Sequence, residues 1–161
     1  MIVRLSKAVL TLSLGIFLLI VGIDNILDYG INLTFVQHVM SMDTTFPEST
    51  LRWRAVTADW AHQVAYGLIV ASELMIGIVC VIGAWRLYVA RTAPGPSFRQ
   101  AKSLAMTGAA AGFAFFFLAF IVVGGEWFQM WQSSTWNAQE GAFRFAVLFG
   151  IVLIYVGLED G

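Results

Sequence analysis

The chain has 161 residues, of which 59% are hydrophobic and only 12% are charged, and its mean hydropathy is +0.79. Soluble domains are about 45–50% apolar, so the composition excludes an ordinary soluble domain and predicts a small membrane protein. A net charge of −1 argues against a nucleic-acid partner, which needs a basic surface. The single cysteine, Cys80, excludes a disulfide framework and a thiolate metal site within one chain.

Four apolar stretches each approach the roughly 20 residues that a helix needs to cross about 30 Å of hydrocarbon. They cover approximately residues 8–27, 64–85, 104–125 and 139–158. Helices are expected because lipid offers no hydrogen-bond partners to the backbone. The sequence therefore predicts an all-α fold, a single domain over residues 1–161 that forms a bundle of four transmembrane helices.

The first span carries polar residues close to its outer end. Asn25 shares one helix face with Thr11, Gly15 and Gly22, and such a face of small residues is typical of close packing against another helix. Asp24 points elsewhere, and we expect its side chain to reach the membrane interface.

The outer segment, residues 28–61, is too long and too apolar for a plain loop. Apolar residues recur in it at helical spacing, which predicts a short helix lying in the interface: Ile31, Phe35, Val36, Val39, Met40 and Met42. Phe46 and Pro47 end that helix. We expect a second helix to begin after Ser49 or Thr50 and to run on into the second span. The segment is thus predicted to form a helical cap over the outer ends of the bundle.

Glu73 is the one charged residue in the apolar run 64–85. A charge at this depth costs roughly 2.5–3.5 kcal/mol on insertion scales, so it must face the bundle interior, a wet cavity or a partner. At about 100° per residue, Asp59, His62 and Tyr66 share its helix face, which describes a crevice that narrows inward. Either Glu73 is hydrogen-bonded to a neighbouring helix and only fixes its register, or it contacts a ligand or a proton. We expect it to be neutral at neutral pH.

In the third span, Gly108 and Gly112 form a GxxxG pattern within a run of small residues. Such a pattern permits close backbone approach, either within the chain or between two copies. The Pro- and Gly-rich residues 93–97 before it are typical of a plain turn.

Arg144 lies in the fourth span and is the obvious basic residue to consider as a partner of Glu73. It lies about five residues inside its span, some 7 Å deep, whereas Glu73 is about 11 residues in from His62. We therefore expect Arg144 to meet Glu140 or Glu126 instead of Glu73. The span ends define an outer-face polar cluster of Asp24, Asn25, Glu126 and Arg144.

The basic residues predict the orientation. Six of the nine fall on one side of the bundle: Arg4, Lys7, Arg86, Arg91, Arg99 and Lys102. The positive-inside rule places that side and both termini in the cytoplasm. The outer side carries the candidate interface tryptophans Trp53, Trp127, Trp131 and Trp136. These either anchor the bundle as an aromatic belt or contact a protein partner.

No motif indicates a cofactor. The two histidines, His38 and His62, are both on the outer side, and a bis-histidine haem needs two ligands on facing helices. His62 with Asp59 or Glu126 gives only two or three weak metal ligands, and neither a P-loop nor a dinucleotide fingerprint occurs. We predict no metal, no cofactor, no catalytic residue and no enzymatic activity.

Several local motifs are shared with a known family. They are Asp24-Asn25, Asp28-Tyr29, Asn32, Phe35-Val36, His38-Val39-Met40, Met42-Asp43-Thr44-Thr45-Phe46, Glu126-Trp127-Phe128, Trp131 and Phe143-Arg144-Phe145. On these residues the chain resembles, over nearly its whole length, the bacterial predicted small integral membrane proteins of unknown function. The resemblance implies a four-helix inner-membrane protein and provides no catalytic or binding residue.

Two functional hypotheses remain. The favoured one is a non-catalytic accessory or scaffold subunit in the lipid bilayer, which binds a larger membrane complex through its outer face or associates with a second copy. The alternative is a small proton-, quinone- or solute-handling protein that uses Glu73 in a crevice with Asp59, His62 and Tyr66.

Overall fold

The computed structural model describes residues 1–160. Its helices are α1 (Ile2–Leu27), α2 (Tyr29–Ser41), α3 (Asp59–Val89), α4 (Gly95–Phe115), a π-helix that continues α4 (Phe116–Trp127), and α5 (Gln139–Gly157). Single 3-10 turns lie at Arg52–Arg54, Ala90–Thr92 and Met130–Gln132, and residues 1–160 contain no β-strand. The segments α1, α3, α4 with the π-helix, and α5 are long and apolar enough to span a membrane. The prediction of an all-α, four-span protein is confirmed.

The bundle has two distinct ends. We call the end that carries α2 the cap end, where α1 stops at Leu27 and α5 starts at Gln139. The opposite end, which carries Ile2 and Gly157, is the terminal end. Helix α2 follows α1 after the single residue Asp28 and buries Leu33, Val36 and Val39, so the chain folds back as the predicted helical cap between the first two spans.

The predicted second helix in the cap, continuous with the second span, is wrong. The chain makes one 3-10 turn at Arg52–Arg54, and α3 begins only at Asp59, after Ala58 in an extended conformation. The intervening backbone is bonded elsewhere. The Val56 amide donates to Met40 O at 2.8 Å, and His62 Nε2 donates to Val56 O at 2.7 Å. These bonds fasten the segment to α2 and α3 and replace the helical ones.

Glycines bring α1 and α3 into close contact. A Cβ atom added to Gly15 would lie 2.9 Å from Gly77 O, and one added to Gly77 would lie 2.9 Å from Leu19 Cγ. Thr11, Gly15 and Gly22 are buried on this face, as the sequence predicts. Close approach of the two backbones places Asn25 of α1 beside Glu73 of α3.

The GxxxG glycines pack within the chain. An added Cβ atom on Gly108 would lie 2.6 Å from Cys80 Sγ of α3, and Gly112 lies directly against the Phe149 ring of α5. Helix α4 therefore uses these two glycines to contact both of its neighbours, which decides between the two alternatives that the sequence left open.

The π-helix is a feature that the sequence did not predict. Its last turn is closed by a bond from the Phe128 amide to Val123 O at 3.0 Å. Most π-helices are single turns inside α-helices and often occur at functional sites, whereas this one covers 12 residues. It carries Phe116 and Phe120, which line the site described next.

Candidate functional site

Glu73 is the centre of the site. Its side chain extends from α3 into the bundle and is 3% exposed. Asn25 Nδ2 of α1 donates a hydrogen bond to Glu73 Oε2 at 2.7 Å, and Tyr66 Oη donates to the Asn25 carbonyl oxygen at 2.7 Å. Two hydrogen bonds thus join α1 to α3 at this level. The sequence left open which neighbouring helix would hydrogen-bond to Glu73, and in the structure it is the first span, through the side-chain amide of Asn25.

Arg144 does not take part. Its guanidinium pairs with the Glu140 carboxylate one turn earlier on α5, and both side chains are exposed. We expected Arg144 to meet Glu140 or Glu126 instead of Glu73, and the structure shows the pair with Glu140.

A cavity of about 430 Å³ lies in front of Glu73. Its polar wall is made by Glu73, Asn25, Tyr66, Asn32 and Asn137. Its apolar wall consists of aromatic rings and small side chains: Val21, Phe35, Val36, Ile69, Phe116, Phe120, Ala138, Gly141, Ala142 and Phe145. The volume falls within the range of about 300–1,000 Å³ that is typical of small-molecule sites. We call this cavity the crevice.

All four spans and α2 contribute to the crevice. Helix α2 covers it with Phe35, Val36 and the polar Asn32, while α1 and α3 supply most of the polar wall. The π-helix and α5 supply the opposite, apolar wall. Asn137, two residues before α5, is exposed, so the crevice reaches the surface at the cap end.

Of the four residues predicted to share the crevice, only Tyr66 and Glu73 line it. Asp59 is exposed at the first turn of α3. His62 is buried, but its ring points to the Val56 carbonyl, and its Nδ1 atom has no hydrogen-bond partner among residues 1–160. His62 therefore lies on the buried face of α3, as predicted. Its ring does not reach the cavity, because Nε2 donates a hydrogen bond to a backbone carbonyl of the cap.

The predicted outer-face polar cluster does not assemble. Asn25 is bonded to Glu73 and Arg144 to Glu140, while Asp24 and Glu126 are exposed. The position of a residue near the end of a span predicts its depth in the membrane. It does not predict which side of the bundle the side chain faces.

The four candidate tryptophans differ in their surroundings. Trp53 is 72% exposed and lies edge-on to Trp127 at 6.3 Å, with the Arg54 guanidinium 4.6 Å above the Trp127 ring. Trp131 is also exposed and lies edge-on to Phe46 at 5.9 Å.

Trp136 is half-buried and stacks on His38, with 4.4 Å between the ring centroids. His38 in turn bonds to Asp43 through Nδ1 at 2.7 Å. Trp136 thus holds the cap on the bundle, and the remaining three tryptophans form the exposed set.

Sequence reasoning missed a charged cluster at the terminal end. Lys7 Nζ and Lys102 Nζ contact the two carboxylate oxygens of Asp160 at 2.6 and 2.7 Å. Both ammonium groups also donate to the Leu158 carbonyl oxygen, at 2.5 and 2.7 Å. All three charged side chains are buried, Lys7 completely. We call these three residues the terminal cluster. Lys7 and Lys102 had been assigned only to the basic side of the bundle, and the acidic tail after the last span was the available signal.

Asp160 lies just beyond the last span, and its ionisation is perturbed. Burial by itself raises the pKa of Asp160, but the hydrogen bonds and positive charges of Lys102 and Lys7 outweigh burial and lower that pKa below its ordinary value. The cluster fastens the tail after α5 to α1 and α4.

The crevice offers hydrogen-bonding groups rather than an obvious reaction. Its wall has a carboxyl, a phenol and three amides, and among residues 1–160 no group of three His, Cys, Asp or Glu side chains is placed to hold a metal ion. Such a wall can bind and orient a polar group inside an otherwise apolar space.

Comparison with known proteins agrees with this architecture. A family model described as predicted small integral membrane protein (DUF2165) matches residues 3–159. Neither a curated protein nor a solved structure matches the chain significantly. The match covers nearly the whole chain, and the four apolar helices are those of an integral membrane protein. The chain belongs to the family of predicted small integral membrane proteins (DUF2165).

Proposed function

We propose that this protein is a non-enzymatic binding protein of the membrane, in which Glu73 and Asn25 bind the polar group of a small molecule. The observation that supports this is the position of Glu73, which is buried on the wall of a 430 Å³ cavity with one protein partner for its carboxyl group. Ionisable groups inside a span are costly, and those that face a cavity commonly belong to a ligand or proton pathway.

The chemistry of the wall favours binding without reaction. Asn25 holds one oxygen of Glu73, and among the described residues the structure records no second partner for that carboxyl group. A ligand in the crevice can therefore bond to Glu73 without displacing a protein contact. Among the residues that the structure describes, the lining contains no serine, cysteine or histidine that could act as a nucleophile or its base.

The proposal includes an orientation. The six basic residues near the terminal end support a cytoplasmic location for that end in a bacterial inner membrane. The crevice then opens toward the outer side, beneath α2.

The test is purification of the full chain in a mild detergent, followed by native mass spectrometry of retained small molecules. Wild-type protein is expected to retain a bound molecule at least about tenfold more than Glu73→Leu, a loss equivalent to one strong polar contact. Glu140→Leu is the matched control, because Glu140 is an exposed acid at the cap end outside the crevice. Equal retention by wild type and Glu73→Leu would contradict the proposal.

A second candidate function is an accessory subunit that binds a larger membrane complex, or a second copy, through the outer face. The exposed aromatic surface of Trp53, Trp127 and Trp131 favours it. The loops beneath are well ordered by hydrogen bonds, such as Phe46 N to Gln132 Oε1 at 2.9 Å, so the surface is pre-formed. Exposed tryptophans are enriched both in protein interfaces and at the membrane interface.

Crosslinking in native membranes distinguishes these two roles of the tryptophans. A partner-binding surface predicts that the Trp53→Ser/Trp131→Ser double variant loses a crosslinked species that wild type forms. The control is Trp85→Ser, which removes an exposed tryptophan near the terminal end. If the species survives the double variant, the tryptophans serve as membrane anchors.

A further inference from the structure

A second cavity adjoins the crevice at the cap end. It has a volume of about 350 Å³ and lies between α2, α3 and the π-helix. Its lining is apolar apart from Ser72, whose hydroxyl donates to Leu68 O of its own helix at 2.7 Å. We call this space the side cavity. Because Ser72 uses its one donor within α3, the described lining is almost wholly apolar and suits a hydrocarbon chain.

The side cavity opens toward lipid. Leu68 of α3 and Val123 of the π-helix line it and are 64% and 45% exposed. Both lie in segments that can span a membrane, where an exposed apolar side chain faces acyl chains. Helix α2 closes the cavity from above with Val39 and Met40. The opening is therefore lateral, between two spans.

The crevice and the side cavity are neighbours. They share four lining residues, which belong to the wall of both spaces: Phe35, Val36, Ile69 and Phe120. Phe35 and Phe120 belong to different elements, α2 and the π-helix, and are half-buried. A single elongated molecule can lie in both spaces, with its polar end at Glu73 and its apolar end toward the bilayer.

The side chains that line the two spaces indicate which polar head group the ligand carries. Among the described residues, no Lys, Arg or His lines either space, so a carboxylate or phosphate would find no positive partner and would face Glu73. A buried carboxylate without a cation is costly, so Glu73 is expected to be protonated and to seek a neutral partner. Asn25, Asn32 and Asn137 add amides that donate and accept, which fits a hydroxyl or a carbonyl group.

From this arrangement we infer that the ligand is an amphiphile with one apolar chain and an uncharged hydroxyl or carbonyl head. It enters sideways from the bilayer between α3 and the π-helix. The inference rests on the proposed function, since the head occupies the site at Glu73, and it adds the chemical class of the ligand and its route.

Photolabelling of the full chain in lipid nanodiscs tests the inference. The probe is a long-chain alcohol with a diazirine in mid-chain, and labelled positions are mapped by mass spectrometry with and without an excess of unlabelled alcohol. Probes with the same chain and a carboxylate or ammonium head are run in parallel. The alcohol probe is expected to give saturable labelling within residues 65–72 and 115–124. The carboxylate and ammonium probes are each expected to give at least about fivefold less saturable labelling than the alcohol. A charged probe that labels as well as the alcohol overturns the assignment of the head.

Filling the side cavity provides the critical variant. Ala119→Phe adds a ring to the side-cavity wall, and Ala65→Leu is a smaller change on the opposite wall should Ala119→Phe fold poorly. Saturable labelling is expected to fall at least about fivefold in either variant. The control is Val9→Phe, which adds the same ring to a separate apolar groove near Trp85. Unchanged labelling in Ala119→Phe and Ala65→Leu overturns the lateral route.

The two proposals fail in different ways. If Glu73→Leu labels like wild type while Ala119→Phe does not, the side cavity binds chains without a head site, and the proposed function is wrong. If native mass spectrometry shows a molecule whose retention depends on Glu73 while the chain probes label no saturable position, the proposed function stands and the amphiphile is wrong.

Discussion

Two buried acids, Glu73 near the cap end and Asp160 at the terminal end, have opposite surroundings. Asp160 contacts two ammonium groups, and both of these also bind the Leu158 carbonyl oxygen, so every charge in the terminal cluster has a close partner. Glu73 has one amide partner and faces a cavity. The ion pairs of Asp160 hold the tail after α5 against α1 and α4. The carboxyl group of Glu73, by contrast, keeps hydrogen-bonding capacity for a ligand.

Two glycines of α3 also have opposite surroundings. At Gly83, an added Cβ atom would lie 2.7 Å from the Ala105 backbone, so α3 packs closely on α4 there. Gly67 is exposed, and an added Cβ atom would meet no neighbouring element of the described chain within 4 Å. The first glycine is therefore required by helix packing, whereas the second lies on a free face of the helix.

The largest effect is expected from Asp160→Asn. It leaves two buried ammonium groups without an anion, and breaking a buried ion pair costs about 3–5 kcal/mol, so we expect the free energy of unfolding in detergent to fall by about 3 kcal/mol. Glu159→Gln, the same change at an exposed neighbouring acid, is expected to have no measurable effect. If both variants are equally stable, the terminal cluster does not fasten the tail.

Alanine substitutions at the two glycines of α3 are expected to have opposite signs. Gly83→Ala should lower the free energy of unfolding by about 1–3 kcal/mol, because its methyl group meets the backbone of α4 and one helix must move. Gly67→Ala should raise it by about 0.5–1 kcal/mol, since alanine favours the helix and meets no neighbour. The same unfolding measurement checks both, and a destabilising Gly67→Ala would contradict the free helix face at that position.

Lowering the pH should reduce the contribution of Asp160 to the free energy of unfolding. Its pKa is lowered in the folded protein, so its stabilising effect is complete above the ordinary value of about 4 and is lost as the pH falls toward the folded value. The difference in unfolding free energy between wild type and Asp160→Asn should be constant near neutral pH and narrow below about pH 4. Other acids titrate in both proteins and largely cancel. A difference that widens in acid would contradict the assignment of the charge to Asp160.

Much of the fold could be predicted from the sequence because lipid restricts the choices. Four apolar stretches had to be helices, and small residues such as Gly15 and Gly108 marked the faces that pack. The isolated Glu73 could be recognised as interior, and its depth relative to Arg144 argued against the obvious ion pair.

The remaining features depend on contacts between distant parts of the chain. His62 shares the helix face of Glu73, but its ring donates a hydrogen bond to the Val56 carbonyl in the cap. No local sequence pattern predicts that bond. The pairing of Lys7 with Asp160 joins the two ends of the chain. The π-helix and the two cavities arise from packing among phenylalanines whose periodicity alone looks like an ordinary span.

The smallest effect is expected from Glu73→Gln, although it makes the same exchange of acid for amide as Asp160→Asn. If Glu73 is protonated, glutamine replaces one neutral group by another of similar shape, and its Oε1 atom can still accept from Asn25 Nδ2, so the free energy of unfolding should change by less than about 0.5 kcal/mol. Retention of the bound molecule should also fall far less than in Glu73→Leu, because an amide still offers a donor and an acceptor to a neutral head. Unfolding and native mass spectrometry of the two variants side by side provide the measurement. A loss of stability as large as that of Asp160→Asn would mean that Glu73 is charged and paired, and the contrast between the two ends of the bundle would then disappear.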